Sequence, residues 1–155
     1  MRRRAAPKRY IIPDAKFGKV IITRFVNYIM KDGKKSVVEK SVYEALDIIA
    51  EKLKLEPVEI FNNAIEKVTP KIEVRSRRMG GATYQIPVSV RPRRGSSLAL
   101  KWLKIAIEKS SGKSLAEKIS SVLLDSLNDR GWAFKKKEEV FKMAESNKAF
   151  AHYSW

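Results

Sequence analysis

The chain has 155 residues, of which 44% are hydrophobic, with 33 lysines and arginines against 17 acids, one histidine and no cysteine, giving a formal net charge of +16. That length and composition suit one domain with a real core, and they exclude disulfides, thiolate metal sites and a chain disordered throughout. No uncharged apolar run approaches the ~18 residues of a membrane span, so a soluble intracellular protein is expected, and the excess of positive charge points to a polyanionic partner.

The charge is unevenly spread. Residues 1–9 hold five basic side chains and no acid, residues 70–94 hold seven against one, and residues 36–69 hold four against seven. One side of the molecule should therefore attract phosphate and another repel it. Residues 1–14, with two prolines and little apolar material, are expected to be a flexible basic arm that orders on a partner, ahead of a helical domain over 15–155. An arginine-rich start also fits an organellar transit peptide, but Pro7 and Pro13 interrupt any amphipathic helix.

Phe17, Val20, Ile21, Phe25, Tyr28 and Ile29 follow helical spacing, with Ile22 and Val26 widening the stripe, and Lys31-Asp32-Gly33 ends this first helix. Lys34 and Lys35 in the next loop are either solvated or phosphate contacts. Ser36 with Glu39 predicts a capping box and a second helix, its stripe formed by Val38, Val42, Ala45, Ile49 and Leu53. Glu39, Glu44, Asp47 and Glu51 make its outer side acidic, a solvated face rather than a metal or acid/base site. Pro57 suits the first turn of a third helix that buries Val58, Phe61, Ala64, Ile65 and Val68 and stops at Thr69-Pro70.

A basic β-hairpin is predicted over 71–94. Ile72 and Val74 alternate with Glu73, Arg75 and Arg77, while Tyr84, Ile86, Val88 and Val90 alternate with Gln85, Pro87, Ser89 and Arg91, which predicts one apolar and one basic face. Gly80 and Gly81 supply the tip, and Pro87 confines its arm to a sheet edge. A lone ribbon is marginal in water, so its base must rest on helices.

Gly95-Ser96-Ser97 leads into a fourth helix with Leu98, Trp102, Leu103, Ala106 and Ile107, and with Lys101 and Lys104 on another side; Trp102 reads as core rather than a base-stacking platform. The loop KSSGK over 109–113 suits phosphate but lacks P-loop glycine spacing. Ser114 and Glu117 form a second capping box for a fifth helix carrying Leu115, Ile119, Val122, Leu123 and Leu127, which Gly131 closes. Lys135, Lys136 and Lys137 open a short sixth helix with Val140, Met143 and Ala144. Of the aromatic tail Phe150, His152, Tyr153 and Trp155, Phe150 is read as docking on the domain, and the others either dock or stack on bases.

The fold predicted is a mainly α single domain of six helices with a protruding two-stranded hairpin between the third and fourth. No nucleophile motif, Walker sequence, dinucleotide-binding glycine pattern or metal-ligand spacing occurs, so a binding protein without cofactor, metal or small-molecule substrate is expected rather than an enzyme.

The strings PDAKFG (13–18), DGKKS (32–36), VRSRRMGGATYQIPV (74–88), VRPRR (90–94) and AESNKAFAHYSW (144–155) closely resemble the ribosomal protein seven family of the bacterial small subunit. The resemblance implies a primary binder of small-subunit ribosomal RNA that nucleates assembly of the subunit head on the 3′ major domain. It implies RNA contacts at Arg2, Arg3, Arg4, Lys8 and Arg9, at Lys34 and Lys35, at Arg75, Arg77, Arg78, Arg91, Arg93 and Arg94, and at Lys113. It also implies that the hairpin tip, Met79, Gly80, Gly81, Ala82, Thr83 and Tyr84, lies near exit-site transfer RNA and messenger RNA, and that ribosomal proteins nine and eleven of the small subunit are neighbours. Without the resemblance, the alternatives are an architectural protein acting on DNA and, with less support, an RNA-modifying enzyme.

Overall fold

The structure, a computed structural model, describes residues 4, 6–7 and 9–153. Among these residues the order is α1 (Val20–Ile29), α2 (Lys35–Leu53), α3 (Pro57–Val68), β1 (Ile72–Met79), β2 (Ala82–Ser89), α4 (Pro92–Lys109), α5 (Leu115–Leu127) and α6 (Gly131–Ser146), followed by a 3-10 helix at Lys148–Tyr153. The expected architecture of six helices with a ribbon between the third and fourth is what forms.

Helix α5 packs against α2, α3, α4 and α6, and α1 closes the bundle against α2 and α4. Its Ile119 and Leu123, one turn apart, are fully buried, as are Leu46 and Ile49 of α2 and Leu100 and Leu103 of α4. Phe25 of α1 and Phe61 of α3 meet with ring centroids 5.1 Å apart. Trp102 belongs to this core. Burying a side chain of this size contributes about 1.5–3 kcal/mol, so the bundle supplies the stability and the ribbon is carried by it.

Local chemistry moved several boundaries. Helix α1 starts at Val20 rather than Phe17, because Asp14 folds the preceding residues into a separate turn: its Oδ2 accepts the backbone N–H groups of Lys16 and Phe17 at 3.1 and 3.0 Å. Val20, expected inside, is 39% exposed, while Ile22 and Val26 are fully buried. The Ser36–Glu39 capping box does not form. Asp32 and Gly33 both take positive φ, 52° and 71°, in a turn that makes Lys34 the N-cap and leaves Ser36 already inside α2. Of the second box the first half forms, Ser114 Oγ accepting from Glu117 N–H at 3.2 Å, while Glu117 Oε2 reaches one residue past the N-cap and accepts from Lys113 N–H at 3.0 Å. Gly131 opens α6 instead of closing α5, whose end is turned by Asp129 at φ 56°. Helix α6 therefore begins before the lysine run.

Candidate nucleic-acid interface

The hairpin tip is the two-residue loop Gly80-Gly81, at φ +56° and +87°, the pair of positive values that a type I′ turn demands and glycine meets without strain. A two-residue tip fixes the register from Met79↔Ala82 down to Ile72↔Ser89. This register corrects the expected division into an apolar and a basic face. Residues paired across an antiparallel ladder share a face, so Glu73, Arg75 and Arg77 lie beside Val88, Ile86 and Tyr84, while Ile72, Val74 and Arg78 lie beside Ser89, Pro87 and Thr83. Each face carries arginine next to apolar groups.

The first of these faces rests on the C-terminal segment. Tyr84 meets Phe150 and Tyr153 with ring centroids 5.3 and 5.8 Å apart, and Arg77 Nη1 donates to the Tyr153 carbonyl at 2.8 Å. Ile86 is buried beneath, and α6 packs against β1. Phe150 thus docks, as expected, and Tyr153 docks with it; Trp155 lies outside the described residues. Tyr84 is half-buried in this cluster, whereas Gly80, Gly81, Ala82 and Thr83 are exposed.

Strand β2 ends at Ser89, and the next arginines belong to α4: Arg91 is its N-cap, and Arg93 and Arg94 stand in its first turn. Arg94 meets β1 through Glu73. Glu73 Oε1 accepts from Arg75 Nε and Nη2 at 2.9 and 2.6 Å, and Oε2 accepts from Arg94 Nε at 3.3 Å. Burial alone would raise the carboxyl's pKa. The hydrogen bonds and charges of the two arginines outweigh it and hold Glu73 below the ordinary value of 4.5.

From Arg93 the basic surface continues along α1 and α4. A groove of about 310 Å³ is lined by Arg24, Asn27 and Tyr28 of α1, Arg93 and Ser97 of α4, and Ile11 from the N-terminal segment. Farther along, a cleft of about 490 Å³ has an apolar floor that includes Ile29, Val38 and Ile107 and a rim of Lys31, Lys34, Lys104 and Lys118, against which stands Glu108, 3.2 Å from Lys31 Nζ. Lys101 is exposed on the α4 face between groove and cleft, one turn beyond Ser97.

The sequence-predicted residues divide accordingly. Arg75 and Arg94 come together on Glu73, Arg93 joins Arg24, and Lys34 joins Lys104 and Lys118. Lys35 is turned to Glu39 at 3.4 Å, and Lys113 is exposed at the α4–α5 loop. Arg78 is exposed on the other face of the hairpin. Arg4 and Arg9 are exposed, and Arg2, Arg3 and Lys8 lie outside the described residues. The N-terminal segment is tied down where it enters the domain. Thr23 Oγ1 donates to the Ile12 carbonyl at 3.0 Å and Tyr43 OH to Asp14 Oδ1 at 2.6 Å. Burial, with the hydrogen bond and charge of Asp14, pushes the Tyr43 phenol up to about 12. The lysine run 135–137 is partly engaged by the protein itself: Lys137 donates to the Lys67 carbonyl and Lys136 pairs with Glu139 at the surface.

Arg24, Lys31 and Lys118 were missed by reading the sequence. A signal was present, since Arg24, Asn27 and Lys31 follow helical spacing opposite the apolar stripe, as do Arg93, Ser97, Lys101 and Lys104. Among the described residues no group of acids and histidine is arranged to hold a metal ion, and no helix is long and apolar enough to cross a membrane.

Residues 1–148 match the sequence model of a family described as Ribosomal protein S7p/S5e. The chain is 53% identical over 154 residues, 99% of each chain, to a protein of Paracoccus denitrificans named small ribosomal subunit protein uS7. Likeness of the same degree, 53% over 155 residues and 100% of each chain, links it to the protein of that name in Sulfurimonas denitrificans. A Cereibacter sphaeroides protein named small ribosomal subunit protein uS7A/uS7B is 53% identical over 154 residues.

Proposed function

The chain belongs to the ribosomal protein S7p/S5e family, a family of structural ribosomal proteins rather than enzymes, and from that premise we propose that it binds small-subunit ribosomal RNA directly and nucleates assembly of the subunit head on the 3′ major domain. Its place is the small subunit of the ribosome, in the cytoplasm. One observation carries the RNA-binding reading: a continuous basic track runs from Arg75 and Arg94 at the hairpin base, through Arg93 and Arg24, to the lysine-rimmed cleft at Lys34, Lys104 and Lys118. The exposed positions of α2 and α3, by contrast, include Glu44, Asp47, Glu51, Glu59 and Glu66, which repel phosphate.

A-form duplexes hide their major groove, so proteins of this kind grip junctions, bulges and unpaired loops by shape and backbone. A narrow ribbon standing on a grooved basic face suits such a site. The arm residues Arg2, Arg3, Arg4, Lys8 and Arg9, the loop residues Lys34, Lys35 and Lys113, and the arginines Arg75, Arg77, Arg78, Arg91, Arg93 and Arg94 are its phosphate contacts. The tip, Met79 to Tyr84, with Gly80 to Thr83 exposed, reaches towards exit-site transfer RNA and the messenger path, and ribosomal proteins nine and eleven are the protein neighbours.

The test is equilibrium binding to the isolated 3′ major domain, to unstructured RNA of equal length and to duplex DNA across a salt series. The proposal expects a preference of about a thousandfold for the folded domain, retained as salt rises. With about eight phosphates neutralised between these side chains, several of them sharing a phosphate, log affinity should fall with log salt at a slope of roughly −6 to −7. Equal affinities that collapse together would leave only the charge and would refute it.

A further inference from the structure

Residues 67–107 contain a single acid, Glu73, and in a surface built to attract phosphate it is the wrong sign. Its side chain is nonetheless only 12% exposed, while the side chains of the two arginines bound to it are 64% and 58% exposed. We propose that Glu73 is a positioning residue that builds a phosphate-binding fork from Arg75 and Arg94, one arginine from β1 and one from the first turn of α4. Selectivity for folded RNA then depends on an acidic side chain. This rests on the RNA-binding reading above and adds to it the residue that organises the contacts.

The geometry gives the fork its function. Glu73 engages Nε and Nη2 of Arg75 and Nε of Arg94. A guanidinium carries five N–H donors, so each arginine keeps terminal donors for a phosphate oxygen, in the paired arrangement that ammonium groups do not offer. A free arginine side chain loses rotamer entropy when it is ordered on a ligand. Here the carboxylate orders both beforehand, and it does so from opposite sides of the joint between ribbon and helix, so the fork also sets the angle at which the hairpin leaves the domain.

Gly95 makes this joint possible. A Cβ at that position would lie 2.9 Å from Thr69 Cγ2 and 3.4 Å from the Pro70 carbonyl oxygen, so only glycine lets the first turn of α4 close on the link between α3 and β1. The neighbouring Arg94 is thereby delivered to Glu73. The Val90 N–H bond to the Lys71 carbonyl, at 2.9 Å, holds the two chain segments together just outside the ladder.

The experiment is the variant Glu73→Gln, which keeps the side chain's size and adds one positive charge to the net charge. Its amide turns an N–H donor towards an arginine donor, so the fork opens. Affinity for the folded 3′ major domain should fall about tenfold, the scale of one lost charge-assisted contact, while affinity for unstructured RNA and duplex DNA stays level or rises. Glu73→Asp, which keeps the charge with a shorter reach, should recover part of the selectivity, and thermal unfolding of both variants reports on the fold. If Glu73→Gln binds the folded domain as well as the unaltered protein or better, as added charge alone would dictate, the positioning role is refuted while the RNA-binding reading survives. A parallel loss for all three nucleic acids together with a lowered Tm would also refute it, leaving Glu73 a residue of the fold only. Lack of selectivity in the unaltered protein, measured first, would fell the RNA-binding reading and this proposal with it.

Discussion

Leu103 in α4 and Glu73 in β1 are both buried, but they are kept so by different forces. Leu103 sits among Phe25, Phe61, Ile119 and other side chains of a continuous apolar core, where what matters is volume and area removed from water. Glu73 sits at the root of a two-stranded ribbon that could not stand alone, held by two arginines, with a terminal aromatic cluster steadying the same ribbon nearer its tip. The bundle should therefore answer to lost volume, and the ribbon to charge, pH and single contacts at its joints. A protein that, as proposed, offers a grooved basic surface to RNA gains from this division, because the part proposed to meet RNA can be adjusted without unfolding the part that carries it.

The contrast can be broken first at the core. Phe61→Ala removes a fully buried ring and should cost about 3–5 kcal/mol of global stability, read by chemical denaturation, with RNA binding falling only as far as the folded fraction falls. Gly95→Ala forces α4 away from Thr69 and should cost about 1–3 kcal/mol, but here selectivity for the folded RNA should drop further than stability explains, because Arg94 moves with the helix. Tyr84→Ala removes the ring on which Phe150 and Tyr153 gather and should cost about 1–2 kcal/mol locally. Hydrogen exchange should quicken in β2 and leave α5 unchanged. The smallest effect is acid sensitivity. Because Glu73 titrates below 4.5 in the folded protein, its stabilisation is complete above that value and is lost as pH falls through the lower folded pKa. Thermal unfolding followed downward from about pH 5 should show Glu73→Gln losing less stability than the unaltered protein.

Much of the bundle could be read directly. Helical spacing at Val38, Val42, Ala45 and Ile49 and at Phe61, Ala64, Ile65 and Val68 named residues that are buried, and Ser114 with Glu117 located a helix start. Boundaries were missed where one residue outside the pattern decided them: Asp14 folding its own turn before α1, and the left-handed Asp32-Gly33 turn that moved the start of α2 past its expected cap. In the ribbon, each strand's alternation was visible, but the pairing of the two strands depends on the number of residues in the tip, so which side chains share a face was not. The candidate site was half legible for the same reason. Clusters such as 75–78 and 91–94 stand out in a linear reading, whereas Arg24, Lys31 and Lys118 enter the basic track only when α1, α4 and α5 are brought together.

One continuous face, from the hairpin through the α1–α4 groove, should meet the RNA while the acidic outer side of α2 faces away. The chain contains no cysteine, so a single thiol can be introduced and loaded with an iron chelate that cleaves nearby RNA. Three variants suffice: Ala82→Cys at the tip, Asn27→Cys in the groove and Glu44→Cys on the acidic face of α2. In complex with the folded 3′ major domain, the first two should each cut the RNA at a discrete set of positions and the third should leave it intact. Equal cutting from all three would mean that the protein binds in no fixed orientation and that no one face meets the RNA.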